Sequence, residues 1–91
     1  MILFMYWVYI LYSDNFKRFY IGQTNDLSKR LRRHNDGYEK STSPFIPWRL
    51  VCKIQKDSRS EAVILERKLK NLNTEDLNKF INKYSADLRV G

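Results

Sequence analysis

Five side chains in this sequence are of the types that handle a phosphate and a proton. Tyr9 and Tyr20 lie in strand-like stretches, Arg30 and His34 share one helix, and Glu66 sits at the border of an apolar stripe. An arginine carries a fixed cation on a planar fork that matches phosphate oxygens. A histidine exchanges a proton near neutral pH. One helical turn separates positions 30 and 34, so both side chains can reach one phosphate. A buried phenol needs a hydrogen-bond partner, and the nearby groups here are a second phenol and a cation. A neighbouring cation lowers a phenol's pKa, which would suit the pair to proton transfer. A single carboxylate can hold Mg²⁺ through oxygen when waters and a phosphate complete the octahedron.

Each residue also has an ordinary structural explanation. An arginine on a helix border snorkels its charge to the rim. Tyrosines on paired strands stabilise a sheet. Glu66 can pair with Lys70 one turn on, for a gain of only tenths of a kcal/mol. Shared placement is what turns these separate residues into a candidate site for phosphodiester chemistry.

The elements that must position them can be read from the hydrophobic pattern. Residues about 4–12 read as a buried strand, rich in aromatic and β-branched residues. Asp14 and Asn15 carry turn chemistry, and residues about 16–22 read as a second strand, so the two form a hairpin. A turn centred between Asp14 and Asn15 would set Tyr9 directly opposite Tyr20, on one face. Gly22 ends the second strand, and Thr24, Asn25 and Asp26 are N-cap candidates for a helix to about Asn35. Its inward stripe is Leu27, Arg30, Leu31 and His34, and its outer face carries Lys29, Arg32 and Arg33.

"DGYEKSTSPFIP" reads as a polar loop, in which Lys40 and the hydroxyls could meet a backbone phosphate. "WRLVCKIQK" alternates, with Trp48, Leu50, Cys52 and Ile54 expected on one side of a third strand. A helix capped by Ser58 or Ser60 follows, with Ala62, Leu65, Leu69 and Leu72 inward. A last helix starts near Thr74 and repeats at Leu77, Phe80, Ile81 and Tyr84. The order is β-β-α-β-α-α, an α+β fold.

With 91 residues the chain is expected to be one domain, residues 1–91, with its core at about 4–84 and a loose tail. The hydrophobic fraction of 43% argues against disorder. The opening "MILFMYWVYILY" lacks the basic flank and cleavage site of a signal peptide and is too short to span a bilayer. One cysteine, Cys52, excludes an internal disulfide and a cysteine zinc site, and suits a cytoplasmic protein. The net charge of +7, concentrated in "KRLRR" at Lys29–Arg33 with Lys17 and Arg18 nearby, favours a polyanion. Nucleic acid comes first and an anionic membrane second.

"VYI" at Val8–Ile10 followed by "YIG" at Tyr20–Gly22 resembles the GIY-YIG nuclease domain family. "YIGQTNDLSKRLRRH" and "RSEAVILERKLK" resemble stretches of its small stand-alone members, similar to the N-terminal nuclease domain of excinuclease. Trp7 and Val8 stand where the family's first motif has Gly-Ile, while the tyrosine is kept. The resemblance implies a three-stranded antiparallel sheet flanked by helices and a DNA endonuclease dependent on Mg²⁺ or Mn²⁺, with a role in repair or recombination. It assigns Tyr9 as general base and Tyr20 to arranging the nucleophilic water. Arg30 would contact the scissile phosphate, His34 would relay a proton or fix Tyr9, and Glu66 would be the metal ligand. Asn78 is the nearest match to a late family asparagine, with Asn73 and Asn82 as competitors. The basic face at Lys29, Arg32, Arg33 and Lys40 would hold backbone phosphates of duplex or branched DNA. A protein partner or a homodimer stays open, as do a binding module with little turnover and an RNA-binding protein. The geometric expectation is that Tyr9, Tyr20, Arg30 and Glu66 converge on one solvent-accessible cleft.

Overall fold

A computed structural model of the chain describes residues 5–85. Phe4, expected to open the first strand, and the expected loose tail beyond Ser85 lie outside the described residues. The elements are β1 (Tyr6–Ser13), β2 (Arg18–Thr24), α1 (Leu27–Asn35), β3 (Arg49–Lys56), α2 (Arg59–Lys70) and α3 (Thr74–Tyr84), with one 3₁₀ turn at Ser43–Phe45. The sheet is antiparallel with strand order β2-β1-β3. This is the α+β architecture and the element order that the pattern predicts.

β1 lies between two partners, and its residues Val8–Leu11 are all buried, so both faces must be covered. On one face Val8, Ile10, Ile21 and Cys52 pack against Ala62 and Leu69 of α2 and Leu77 of α3. On the other, Tyr9, Leu11 and Trp48 pack with Tyr20, Leu27, Leu31, Phe45 and Leu50. Each helix opens on a side-chain cap. Asp26 accepts from the Lys29 amide, Ser58 from the Glu61 amide and Asn73 from the Asp76 amide. Among the described residues no helix is long and apolar enough to cross a membrane.

Two expectations about the sheet are corrected. Tyr9 is opposite Gly22, and Tyr20 is opposite Leu11. The hairpin loop extends through Lys17, whose amide bonds back to the Ser13 carbonyl and whose φ is 55°. The slip moves each pairing by two positions, so Tyr9 and Tyr20 stay on one face as diagonal neighbours. The second correction concerns β3. Ile10 pairs with Cys52 while Leu11 pairs with Leu50, a bulge that leaves one extra residue, Val51, on β3. The side-chain alternation therefore changes phase. Trp48 and Leu50 join the α1 side, whereas Cys52 and Ile54 join the α2 and α3 side.

Candidate active site

β2 is an edge strand, and α1 and α2 cover opposite faces of the sheet beside it. α2 packs on both β1 and β2. Arg30 from α1 and Glu66 from α2 are thus presented from either side of one sheet edge. Both charges act on the two phenols, since Arg30 lowers and Glu66 raises the pKa of Tyr9 and of Tyr20. Arg30 and Glu66 are therefore near enough to both phenols for their charges to be felt there.

At the centre of the candidate site is a buried hydrogen-bonded chain. Tyr9 is 1% exposed and His34 is fully buried. Tyr9 Oη is 2.9 Å from His34 Nε2, and His34 Nδ1 is 2.9 Å from Thr42 Oγ1. The Thr42 hydroxyl faces the Glu39 carbonyl at 3.4 Å and donates to it. Thr42 is left to accept from His34 Nδ1–H, so Nε2 accepts the phenolic proton of Tyr9. Thr42 is fixed in turn by the Trp48 indole N–H, which donates to its carbonyl at 2.9 Å. Tyr20 is half-buried, with its ring centroid 4.7 Å from the His34 ring and 6.2 Å from Tyr9. The Tyr9 ring crosses over Gly22, where a Cβ would come within 2.6 Å of Tyr9 Oη. The glycine of "YIG" is required by this close approach.

Glu39 is the group that the sequence pattern missed. It lies in the loop after α1, yet its carboxylate is only 18% exposed and gathers three bases. Arg30 Nη1 donates to Oε1 at 3.1 Å, Arg33 Nε is 3.8 Å from the same oxygen, and His34 Nδ1 is 3.7 Å from Oε2. One signal was present: Glu39 is the only acid between Asp36 and Asp57 in a basic stretch. Thr42 carried no comparable signal.

The electrostatics correct a further expectation. The Tyr9 phenol is pushed well above its ordinary value, first by burial and then by Tyr20, while Arg30 pulls in the other direction and loses. Tyr20 is also raised, by burial first and then by Glu39. Neither phenol is poised as a phenolate in the free chain. Burial pushes the Cys52 thiol up to about 11 and makes it inert. The expected open cleft is also revised: Tyr9 is sealed, and the partly accessible members are Tyr20, Arg30 and Glu66.

Burial pushes the His34 pKa below 6.5, against the opposing pull of Glu39, and Arg30 and Arg33 lower it further. The unfolded chain therefore takes up a proton near pH 6.5 that the folded chain refuses until lower pH. Stability contributed by neutral His34 is complete above that value and declines as pH falls through the window below it. Thermal melts between pH 7.5 and 5 are expected to show this decline, with a shallower slope in His34→Gln. Equal slopes in the two proteins would contradict it.

Glu66 is 18% exposed and paired with Lys70 at 2.7 Å, the ordinary helix pair foreseen for it. Among the described residues no three His, Cys, Asp or Glu side chains gather as a metal cage. A lone carboxylate oxygen on a rim fits a hard ion such as Mg²⁺ that keeps its waters and takes substrate oxygens as further ligands. Lys70, 53% exposed, can swing aside. Lys29, Arg32, Arg33 and Lys40 are all exposed. Asn78 is not brought to the two phenols. It lines a cavity of about 630 Å³ with Tyr12, Lys17, Arg49 and Thr74.

Known proteins share the family pattern and the fold. A family profile described as the GIY-YIG catalytic domain matches residues 5–86. The chain is 37% identical over 62 residues to the UPF0213 protein YsiG of Lactococcus lactis subsp. lactis (strain IL1403), a match that covers 67% of this chain and 59% of that relative's length. It is similar in structure to the UPF0213 protein BH0048 from Bacillus halodurans, solved by solution NMR. That likeness has a TM-score of 0.60 and 28% identity, covering 90% of this chain and 87% of the other.

Proposed function

The chain belongs to the GIY-YIG catalytic-domain family, and from that premise we propose that it is a divalent-metal-dependent endonuclease acting on DNA phosphodiesters. What supports this reading is the Tyr9–His34 phenol–imidazole chain, with the charges of Arg30 and Glu66 both felt by Tyr9 and Tyr20. A repair or recombination role rests on the family resemblance.

Arg30 holds the scissile phosphate and stabilises the charge that builds on its oxygens in the transition state. To do so it exchanges Glu39 for the phosphate. As water attacks phosphorus, the new P–O bond forms, the bond to the leaving 3′-oxygen breaks, and the departing alkoxide takes a proton from solvent. Once substrate binding opens the enclosure that excludes water from Tyr9 in the free chain, the water's proton passes to Tyr9 Oη while Tyr9's own proton passes to His34 Nε2. This transfer avoids a free phenolate, which the raised pKa of Tyr9 disfavours. The Glu39 carboxylate, 3.7 Å from Nδ1, stabilises the imidazolium that results. Tyr20, the less enclosed phenol, orients the water. Glu66 would hold Mg²⁺ or Mn²⁺, which when bound supplies Lewis-acid stabilisation at the phosphoryl and leaving oxygens. Lys29, Arg32, Arg33 and Lys40 carry flanking phosphates without reading bases.

A second reading, a nucleic-acid-binding module with little turnover alone, is favoured by the sealing of Tyr9. A nicking assay on duplex, nicked, branched and single-stranded DNA, with Mg²⁺, Mn²⁺ or EDTA, separates the two. The nuclease reading expects cleavage with metal only. Salt-sensitive binding with no cleavage of any substrate would establish the module instead.

A further inference from the structure

A second cluster lies on the same sheet face as the candidate active site, toward the hairpin turn. Arg18 precedes Tyr20 by two residues on β2, so its side chain leaves the same face roughly 7 Å farther along the edge. Its guanidinium stacks over the Phe45 ring, 4.3 Å from the centroid. Phe16, in the turn, meets Phe45 edge-on at 5.4 Å and is 50% exposed. Phe45 meets Trp48 at 6.4 Å, and Trp48 meets Tyr20 at 6.3 Å. An aromatic path thus runs from the site's own phenol to an exposed phenylalanine.

The hydrophobic core does not need the outer end of this path. An exposed phenylalanine at a hairpin tip gains little from folding. The charge beside it is of one sign: Lys17 and Arg18 are exposed, and among the described residues no ion pair holds either one. Asp14, the acid in that turn, is taken by Arg49 at 2.8 Å. Unpaired cations interleaved with accessible aromatic rings match a single nucleic-acid strand, whose phosphates need cations and whose unstacked bases need flat surfaces. A duplex offers its phosphates but keeps its bases stacked inside.

We propose that Phe16, Arg18 and Phe45 form a stacking platform for unpaired nucleotides that flank the phosphate held at Arg30. The platform rests on the proposed nuclease reading for its place beside a scissile bond. It selects substrates in which one strand leaves the duplex, or single strands outright. Phe16 and the guanidinium plane carry the bases, Lys17 meets a phosphate, and Tyr20 joins the platform to the reaction.

The test is equilibrium binding of the full chain in EDTA to a fluorescent oligothymidine and to a blunt duplex of equal charge. Phe16→Ala and Arg18→Lys are compared with wild type, the latter keeping the charge and losing the plane. Each substitution is expected to weaken single-strand binding roughly tenfold and to leave blunt-duplex binding within about twofold. Unchanged single-strand affinity, or equal losses on both probes, would overturn the platform. So would a dimer in sedimentation that Phe16→Ala dissociates, since a second copy would then be the occupant. Both residues are exposed, and melting temperatures confirm that the variants fold. Binding in EDTA also separates this inference from the nuclease reading. Selective loss on the single strand in a chain that never cleaves keeps the platform and removes the nuclease, whereas metal-dependent cleavage with unaltered strand selectivity does the reverse.

Discussion

Arg30→Ala and Glu66→Ala should each abolish nearly all metal-dependent nicking while leaving a folded protein. Arg30 is 37% exposed and Glu66 makes a rim ion pair, so neither contributes much to the core. Loss of the Glu66–Lys70 pair costs only tenths of a kcal/mol. The catalytic losses are much larger. Removing a preorganised group aimed at developing charge typically slows a reaction by roughly 10²–10³-fold, and Glu66→Ala removes the proposed anchor of the ion. The two variants should differ in character. Raising the Mg²⁺ concentration should partly restore Glu66→Asp, because an oxygen ligand remains. It should not help Arg30→Lys, which keeps the charge and loses the fork. Single-turnover nicking across a metal titration reads both effects, and undiminished cleavage by either alanine variant would sink the assignment.

The second large effect is expected from Tyr9→Phe. The ring stays, so its packing in the cluster with Leu11 and Trp48 is kept. What is lost is the hydroxyl bonded to His34 at 2.9 Å, the proposed link between the reaction and the imidazole. The imidazole Nε2 then lacks its donor in a buried place, at a cost of about 1 kcal/mol in stability. The nicking rate should fall by roughly 10²–10⁴-fold, the usual worth of positioned proton transfer. The pH profile provides the sharper test. Proton acceptance needs neutral His34, and burial keeps its pKa below 6.5. Wild-type activity should therefore persist to lower pH than an ordinary histidine would allow, then fall as the imidazole protonates. Residual activity of Tyr9→Phe should lack that acid limb. A phenylalanine variant with wild-type rate and profile would exclude the relay.

What could be read from the sequence was whatever depends on local pattern. The stripe Leu27, Leu31 and His34 does face inward, and Ser58 does cap α2, because periodicity and capping are decided within a few residues. The pairing of Tyr9 departs from the pattern because Asp14 and Asn15 carry the strongest turn chemistry, while the loop closes only at Lys17 in a left-handed conformation. Parity rescued the inference, since both phenols remain on one face. The bulge at Val51 was invisible because Trp48, Leu50, Cys52 and Ile54 look like unbroken alternation, and only pairing with β1 shows the change of phase. Glu39 and Thr42 were missed for a related reason. A polar loop residue has no period to betray it, and its neighbours depend on how the loop folds back over His34. The raised pKa of the Tyr9 phenol is not legible in the sequence, which displays the cation and not the depth of burial.

The Arg30–Glu39–Arg33 cluster also bears on how salt should affect binding. Arginines that face solvent draw small anions from the buffer, while a nucleic acid carries condensed cations whose release favours association by roughly 0.9 ion per phosphate neutralised. Arg30 and Arg33 already hold an anion that belongs to the chain, tethered nine and six residues away. A phosphate arriving there displaces a carboxylate that cannot diffuse off. On the proposed reading, the protein thus limits its own affinity for arbitrary polyanions at Arg30, and the exposed cations around it are left to gather the strand.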